Sequence, residues 1–263
     1  MLRSVITAFA MFSVIPVPAL KTGDEDDKYA MCAFPLVGAV IAGLGLAFYV
    51  LFANTDMGTE LGAGVMTLIP FTITGGIHMD GYMDTSDALN SYGDKTRKLE
   101  ILKDPHIGAF AAIRGVCHVL FTFVLWNELL MRLGGGTADI RLLYAVLTGY
   151  VISRILSALA VFSFKKAKDD GMLSDLRKRG DTRCRYILFA MLFAVSAASV
   201  LYAGYYALAA VIPAVMMFVY YRSVAYRGFG GITGDLAGWF LQKCEQFILL
   251  MAVVWAVISG IRR

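Results

Sequence analysis

Long runs of apolar residues, separated by polar connections, recur along the whole chain. Within each run the apolar residues are continuous and do not alternate with polar ones, which favours helices and excludes a membrane barrel. Helices satisfy their own backbone hydrogen bonds, as a chain in lipid must. The pattern predicts an all-α fold: a polytopic integral membrane helical bundle that forms a single domain over residues 1–263.

The apolar runs predict about seven transmembrane helices, since a span needs ~20 residues. The predicted spans are Met31–Ala53, Gly58–Thr74, Ala109–Leu133, Ile140–Phe164, Tyr186–Ala203, Tyr205–Tyr221 and Leu236–Ser259. A shorter apolar stretch, Val5–Val17, ends at prolines without a convincing cleavage site. It predicts a short N-terminal interfacial helix, with an eighth crossing as the alternative.

Composition narrows the class of protein. The chain is 58% hydrophobic and 17% charged, with a mean hydropathy of +0.66, which excludes an ordinary soluble globule. Four scattered cysteines without a CxxC pair indicate neither a disulfide framework nor a zinc site. The net charge of +4 comes without a basic block interleaved with aromatics, so no nucleic-acid partner is expected. The expected surroundings are the lipid bilayer.

Lysine and arginine are distributed unequally between the two predicted sides. With a cytoplasmic N-terminus, seventeen lie on the cytoplasmic side and four on the opposite side. Because cytoplasmic connections are enriched in these residues, connections 75–108, 165–185 and 222–235 are predicted to face the cytoplasm. We therefore expect a multi-pass protein of the cell membrane whose active site faces the cytoplasm. An anionic-lipid contact is the alternative role for the basic connection 165–185.

The most distinctive polar stretch reads Gly75-Gly76-Ile77-His78-Met79-Asp80-Gly81-Tyr82-Met83-Asp84-Thr85-Ser86-Asp87. On a helix, Asp80, Asp84 and Asp87 share one face. Crowded carboxylates repel one another unless a cation lies between them, and hard oxygen ligands suit Mg²⁺. The stretch predicts a Mg²⁺ site, with three solvated surface aspartates as the alternative.

A second polar stretch covers residues 94–110. If it is helical, Glu100, Lys103 and Asp104 share a face, and Pro105 marks the end of the helix. Basic residues here are candidates for holding phosphate oxygens, and the acidic ones are candidate ligands or bases. A solvated helix face with ion pairs is the simpler alternative.

A third stretch reads Gly228-Phe229-Gly230-Gly231-Ile232-Thr233-Gly234-Asp235, with Glu245 ten residues further on. Glycines before a helix leave backbone N–H groups free to hold phosphate. Asp235 either caps that helix or binds metal.

Two arginines, Arg114 and Arg154, fall inside predicted spans. A charge at membrane depth costs about 2.5–3.5 kcal/mol on insertion scales, so it normally faces a partner or a watery cavity. Snorkelling to the membrane surface is the alternative for Arg154.

Three blocks of the sequence together resemble the cobalamin synthase family, the adenosylcobinamide-GDP ribazoletransferases. The blocks are residues 75–87, residues 97–110, and residues 230–235 with Glu245. They stand in the family's order, and the resemblance spans most of the chain. The departures from the family pattern are Tyr82-Met83 for Leu-Ala, Ala88 for Gly, and Trp239 for a small residue.

The resemblance implies an enzyme that joins adenosylcobinamide-GDP to α-ribazole or its 5′-phosphate. The products are adenosylcobalamin or its phosphate, and GMP. The candidate general bases are His78 and Asp104. The candidate Mg²⁺ ligands are Asp80, Asp84, Asp87 and Asp235, and the candidate substrate-binding residues are Arg97, Lys98, Glu100, Lys103, Arg154, Thr233 and Glu245.

Two other functions compete with this interpretation. A CDP-alcohol phosphotransferase also uses aspartates and Mg²⁺, but Asp80-Gly81 is not followed by the expected Ala-Arg and GxxxDxxxD pattern. A cation transporter would use Asp80, Asp84 and Asp87 as its ion site. A homo-oligomer and association with other enzymes of cobalamin synthesis are compatible with the sequence, which does not decide the oligomeric state.

Overall fold

The structure is a computed structural model that describes residues 2–18, 27–167, 175–177 and 180–261. Its helices in these ranges are α1 (Leu2–Phe12), α2 (Ala30–Ala53), α3 (Thr59–Thr74), α4 (Ile77–Asn90), α5 (Lys95–Ile101), α6 (Ala109–Gly134), α7 (Ile140–Ser163), α8 (Arg183–Ala203), α9 (Leu208–Val224) and α10 (Gly234–Ile261). These ranges contain no β-strand, only one isolated bridge between Lys166 and Ile232. The all-α prediction is confirmed.

The chain reverses direction between α8 and α9, at Gly204 (φ 60°) and the 3₁₀ turn that follows it. Near the start of α7, the ring of Tyr144 packs edge-on against Tyr202 of α8, with 5.0 Å between centroids. Just beyond the end of α7, the ring of Phe164 stacks on Phe218 of α9, with centroids 4.8 Å apart. Helix α8 therefore runs antiparallel to α7, and α9 runs parallel to it.

The seven predicted spans agree with seven helices of the structure, and each boundary lies within three residues of the observed one. Five helices meet the length and hydropathy expected of a membrane span, or six if the bent pair α3 and α4 counts as one. The predicted number of seven is not confirmed by this criterion. The criterion counts the run Arg183–Phe229 as a single span. That run contains the reversal at Gly204 and would extend about 70 Å if it were straight.

The three long polar connections lie at one end of the bundle. The N–H of Ile232 donates to the carbonyl of Lys165 (2.8 Å), and the N–H of Asp181 donates to the carbonyl of Lys28 (3.2 Å). At the opposite end, Gly260 lies beside Arg132. The connections between helices at that end are short.

Connection 75–108 is largely helical and begins with a sharp bend. Gly75 and Gly76 both have positive φ (64° and 81°), and they bend α3 and α4 apart by 95°. Such angles favour glycine, because a Cβ would be strained there. Helix α4 then returns into the bundle and packs between α6 and α10.

The predicted helix through Asp104 is wrong, since α5 ends at Ile101. After Leu102, the N–H groups of Lys103 and Asp104 donate three residues back, to the carbonyls of Glu100 and Ile101 (2.9 and 3.0 Å). This tight turn precedes Pro105, which disfavours helical backbone in the residue before it. Most of the charged connector 21–28 and the whole stretch 168–173 lie outside the described residues.

Helix α1 ends at Phe12, earlier than the predicted apolar stretch, and packs against α2. Two residues later, the N–H of Val14 donates to the carbonyl of Ile73 (2.9 Å). The side chain of Val14 lies directly against Gly75. The N-terminal segment therefore supports the α3–α4 bend.

Candidate active site

Helix α4 lies antiparallel to α10 at very close range. His78 contacts Gly238, Gly81 contacts Asp235, and further along α4 Leu89 contacts Gly228. A Cβ on Gly238 would lie 2.9 Å from the carbonyl oxygen of His78, so only glycine allows this approach. This close packing places the aspartates of α4 beside the start of α10.

The four predicted carboxylates are brought near one another. Asp84 experiences the negative charges of Asp80, Asp235 and Asp87. Asp80 is exposed, whereas Asp84 and Asp87 are half-buried, and the carboxylate of Asp87 lies against Gly108. No three His, Cys, Asp or Glu side chains of the described ranges converge closely enough to hold a metal by themselves. The arrangement is a carboxylate-lined surface and not a closed metal cage.

A cleft of about 370 Å³ opens beside these residues. Five of the residues predicted for the site line it: His78, Asp80, Lys103, Thr233 and Asp235. Apolar residues of α1, α2, α7 and α10 line much of the remainder, among them Phe12, Phe34, Val161 and Leu241. The cleft therefore combines a charged edge with an apolar wall.

The beginning of α10 forms part of the charged edge. Ile232 pairs with Lys165 and Ala167, and Gly231 is pressed against the backbone there. The hydroxyl of Thr233 accepts a hydrogen bond from the N–H of Leu236 (3.2 Å), so Thr233 caps α10. Asp235 follows in the first turn and faces α4. The helix presents its positive end to the cleft.

His78 is a buried polar residue of the cleft wall. Its side chain is only 6% exposed, and Nε2 has no hydrogen-bond partner among the described residues. The ring meets Phe34 edge-on, with 5.7 Å between centroids. Buried polar atoms are normally hydrogen-bonded. An unpartnered nitrogen in a cleft wall is suited to receive a ligand group.

The residues of the second polar stretch are only partly brought to the cleft. Lys103 lines it, whereas Arg97 pairs with Glu100 on the exposed face of α5 (3.1 Å) and Lys98 lies on the same short helix. Asp104 accepts hydrogen bonds from the N–H and from Nδ1 of His106 (3.0 and 2.7 Å). These bonds, the backbone one first, hold the pKa of Asp104 below its usual value.

Arg154 and Glu245 form an ion pair inside the bundle. Nη1 of Arg154 lies 2.7 Å from Oε1 of Glu245, and their side chains are 1% and 10% exposed. Ser153 also donates to Glu245 (3.0 Å). The prediction that an arginine at membrane depth has a partner is confirmed for Arg154. Neither residue lines the cleft, and Arg114 is exposed on α6.

Sequence reasoning missed several residues near the site. Phe12 and Phe34 form a wall of the cleft, but nothing in an apolar run distinguishes a wall from ordinary core. Lys243 lies in α10 with its ammonium 5.5 Å from the ring centroid of Tyr82. A charge inside a predicted span was the available signal, since it identified both intramembrane arginines.

The fold and the cleft define a polytopic helical membrane protein with a carboxylate-lined site at one end of the bundle. The family model described as cobalamin-5-phosphate synthase matches residues 4–253. The chain belongs to this family.

Curated relatives cover nearly the whole chain. The adenosylcobinamide-GDP ribazoletransferase of Lachnoclostridium phytofermentans is 38% identical over 254 residues, which are 96% of this chain and 94% of the relative. That of Geobacillus kaustophilus is 30% identical over 265 residues, covering 97% and 96%. That of Clostridium perfringens is 28% identical over 255 residues, covering 96% and 98%. No solved structure matches the chain.

Proposed function

We propose that this chain is an adenosylcobinamide-GDP ribazoletransferase. It joins adenosylcobinamide-GDP to α-ribazole or its 5′-phosphate, giving adenosylcobalamin or its phosphate and releasing GMP. Membership of the family and the names of the relatives support this activity. One observation supports a location for this activity: Asp80 of α4, Asp235 of α10 and Lys103 line the same cleft.

The reaction is a displacement at the phosphorus attached to cobinamide. The ribazole hydroxyl oxygen forms a bond to this phosphorus, the bond to the GMP oxygen breaks, and the hydroxyl proton passes to a base. Catalysis of this kind rests on positioning and on stabilising charge. Lys103 and the positive end of α10 would hold phosphate oxygens. The apolar wall would receive the less polar parts of the substrates.

The residues present suit Mg²⁺ by their chemistry. Asp80, Asp84, Asp87 and Asp235 offer hard carboxylate oxygens, and Asp84 lies within the field of the other three. Mg²⁺ usually takes one or two carboxylates and leaves other positions to water and phosphate, so an open set fits it. When bound, it would neutralise charge on the diphosphate. Chelation should stop GMP release and added Mg²⁺ should restore it; full activity in chelator would contradict this role.

His78 is the general base that the cleft favours. It lines the cavity and has an unpartnered Nε2, as a proton acceptor near a bound hydroxyl requires. Asp104 is already engaged by His106 and does not line the cavity. Loss of the acidic limb of the pH–rate profile of GMP release in His78→Gln, with the profile of Asp104→Asn unchanged, is the result expected of this assignment.

We place the cleft on the cytoplasmic side of the cell membrane. The excess of lysine and arginine at this end of the bundle supports that orientation. A cysteine at the fully exposed Tyr92 should react with impermeant reagents only in inverted vesicles. Labelling in right-side-out cells would contradict the orientation. A homo-oligomer and contacts with other cobalamin enzymes remain proposals, and cross-linking in intact membranes tests them.

A cation transporter is the second candidate, since transporters often bind ions at broken helices and α3 and α4 form a bent pair. One experiment separates the functions. Protein reconstituted in liposomes receives adenosylcobinamide-GDP with or without α-ribazole, while nucleotide and ion flux are followed. We expect GMP only when both substrates are present, and no substrate-independent flux. Ion flux without GMP would overturn the transferase, and CMP released from a CDP-alcohol would indicate the phospholipid enzyme.

A further inference from the structure

Two basic side chains lie near each other on a lateral face of the bundle, away from the cleft. Lys243 of α10 lies over the ring of Tyr82, and Arg114 of α6 is close enough that the two positive charges repel each other. The positive charge of Arg114 also affects Tyr82 electrostatically, and the positive charge of Lys243 affects His118. This group, Arg114, Lys243, Tyr82 and His118, is called the lateral basic site below.

No carboxylate of the described ranges forms an ion pair with either cation. The ring of His118 is bonded to Gln242 instead (3.0 Å). Two like charges without a counter-ion are unfavourable at membrane depth. An anion from outside the protein, held between the two cations, would relieve this repulsion.

The surroundings identify the source of this anion. Arg114 stands among the exposed apolar residues Phe110, Ile113 and Val116 of α6, a surface suited to lipid chains. Arg114 and Lys243 lie about 8 and 14 Å along their helices from the end that carries the cleft. At that depth long basic side chains reach up to the headgroup layer. Neither residue lines the cleft.

We propose that the lateral basic site binds the phosphate of an anionic phospholipid. Arg114 and Lys243 would contact the phosphate oxygens, and the exposed apolar face of α6 would pack against the acyl chains. Because Tyr82 belongs to α4, the bound lipid would lie directly behind the helix that carries the aspartates.

The test uses the purified full chain titrated with phosphatidylglycerol, or with phosphatidylcholine of equal chain length, and bound lipid is counted by native mass spectrometry. Arg114→Gln and Lys243→Gln should each bind phosphatidylglycerol about fivefold more weakly, which corresponds to ~1 kcal/mol per basic residue. Lys243→Arg should bind normally. The matched control is Arg141→Gln, because Arg141 also lies over a tyrosine ring (4.8 Å), yet it pairs with Asp139 at the opposite end of the bundle.

Three results would overturn the proposal. Equal phosphatidylglycerol binding by all variants would remove the site, and displacement of the lipid by inorganic phosphate would indicate a soluble anion. A higher KM for adenosylcobinamide-GDP in Lys243→Gln, with lipid binding unchanged, would assign the cations to the substrate. The binding readout does not depend on turnover, so it stands or falls apart from the transferase activity.

Discussion

Gly81 and Asp235 pack so closely that a Cβ on Gly81 would lie 2.8 Å from both the Cα and the carbonyl oxygen of Asp235. This contact sets the distance between the aspartates of α4 and the start of α10. Gly81→Ala should push the helices apart and sharply lower GMP release. Gly64→Ala is the matched control: its Cβ would meet nothing within 4 Å, and alanine should stabilise helix α3 by up to ~1 kcal/mol. Equal activity of both variants would show that the spacing is unimportant.

Asp235 and Thr233 should separate activity from stability. Thr233 caps α10, so Thr233→Ala should lower the stability in detergent by about 1 kcal/mol, and Thr233→Ser should preserve it. Asp235→Asn keeps the shape of the side chain and leaves this cap in place, so its melting temperature should match that of the wild type while most activity is lost. Near-full activity in Asp235→Asn would remove this residue from the site.

The Arg154–Glu245 pair predicts a rescue experiment. Glu245→Met alone should lower the free energy of unfolding by about 3–5 kcal/mol, because it leaves Arg154 buried without its counter-charge. Arg154→Met/Glu245→Met should recover most of this loss. The control is Arg132→Gln in the half-exposed pair with Glu128, where a loss of at most ~1 kcal/mol is expected. A double variant as unstable as the single one would argue against a structural ion pair.

Asp104 allows a pH prediction. Because its pKa is lowered in the folded protein, its contribution to stability is present above its unfolded pKa and is lost as the pH falls through its folded pKa. The carboxylate stays ionised at neutral pH and is held by His106 outside the cleft. Between pH 5 and 8 the rate profiles of Asp104→Asn and the wild type should coincide. A missing limb in the variant would restore Asp104 as the base.

Much of the fold could be predicted because span length and hydropathy are local properties. The bounds of the spans, the helix carrying Asp80, and the break at Gly75 all follow from residues adjacent in sequence. The 95° angle of that break depends on the helices against which α4 packs, so it could not be predicted from the local sequence.

The types of residue in the candidate site could be predicted from the sequence, but the contacts between them could not. Arg154 was recognised as needing a partner, yet its pairing with Glu245 results from the packing of α7 against α10. Lys103 was expected on a helix with Asp104, and the turn before Pro105 separated them: Lys103 lines the cleft and Asp104 bonds His106. Such contacts require the three-dimensional arrangement.

The most direct measurement is GMP release from adenosylcobinamide-GDP and α-ribazole by purified Asp84→Asn. Asp84 lies amid the charges of Asp80, Asp87 and Asp235, and its charge is worth several kcal/mol if the cleft binds Mg²⁺ and diphosphate. At ~1.4 kcal/mol per tenfold, we expect a loss of about a hundredfold or more with an unchanged melting temperature. The control Asp56→Asn, an exposed aspartate between α2 and α3 at the opposite end, should keep full activity. Asp84 lies beside the cleft and does not line it, so wild-type GMP release by Asp84→Asn would contradict the assignment of the reaction to the aspartates next to this cleft.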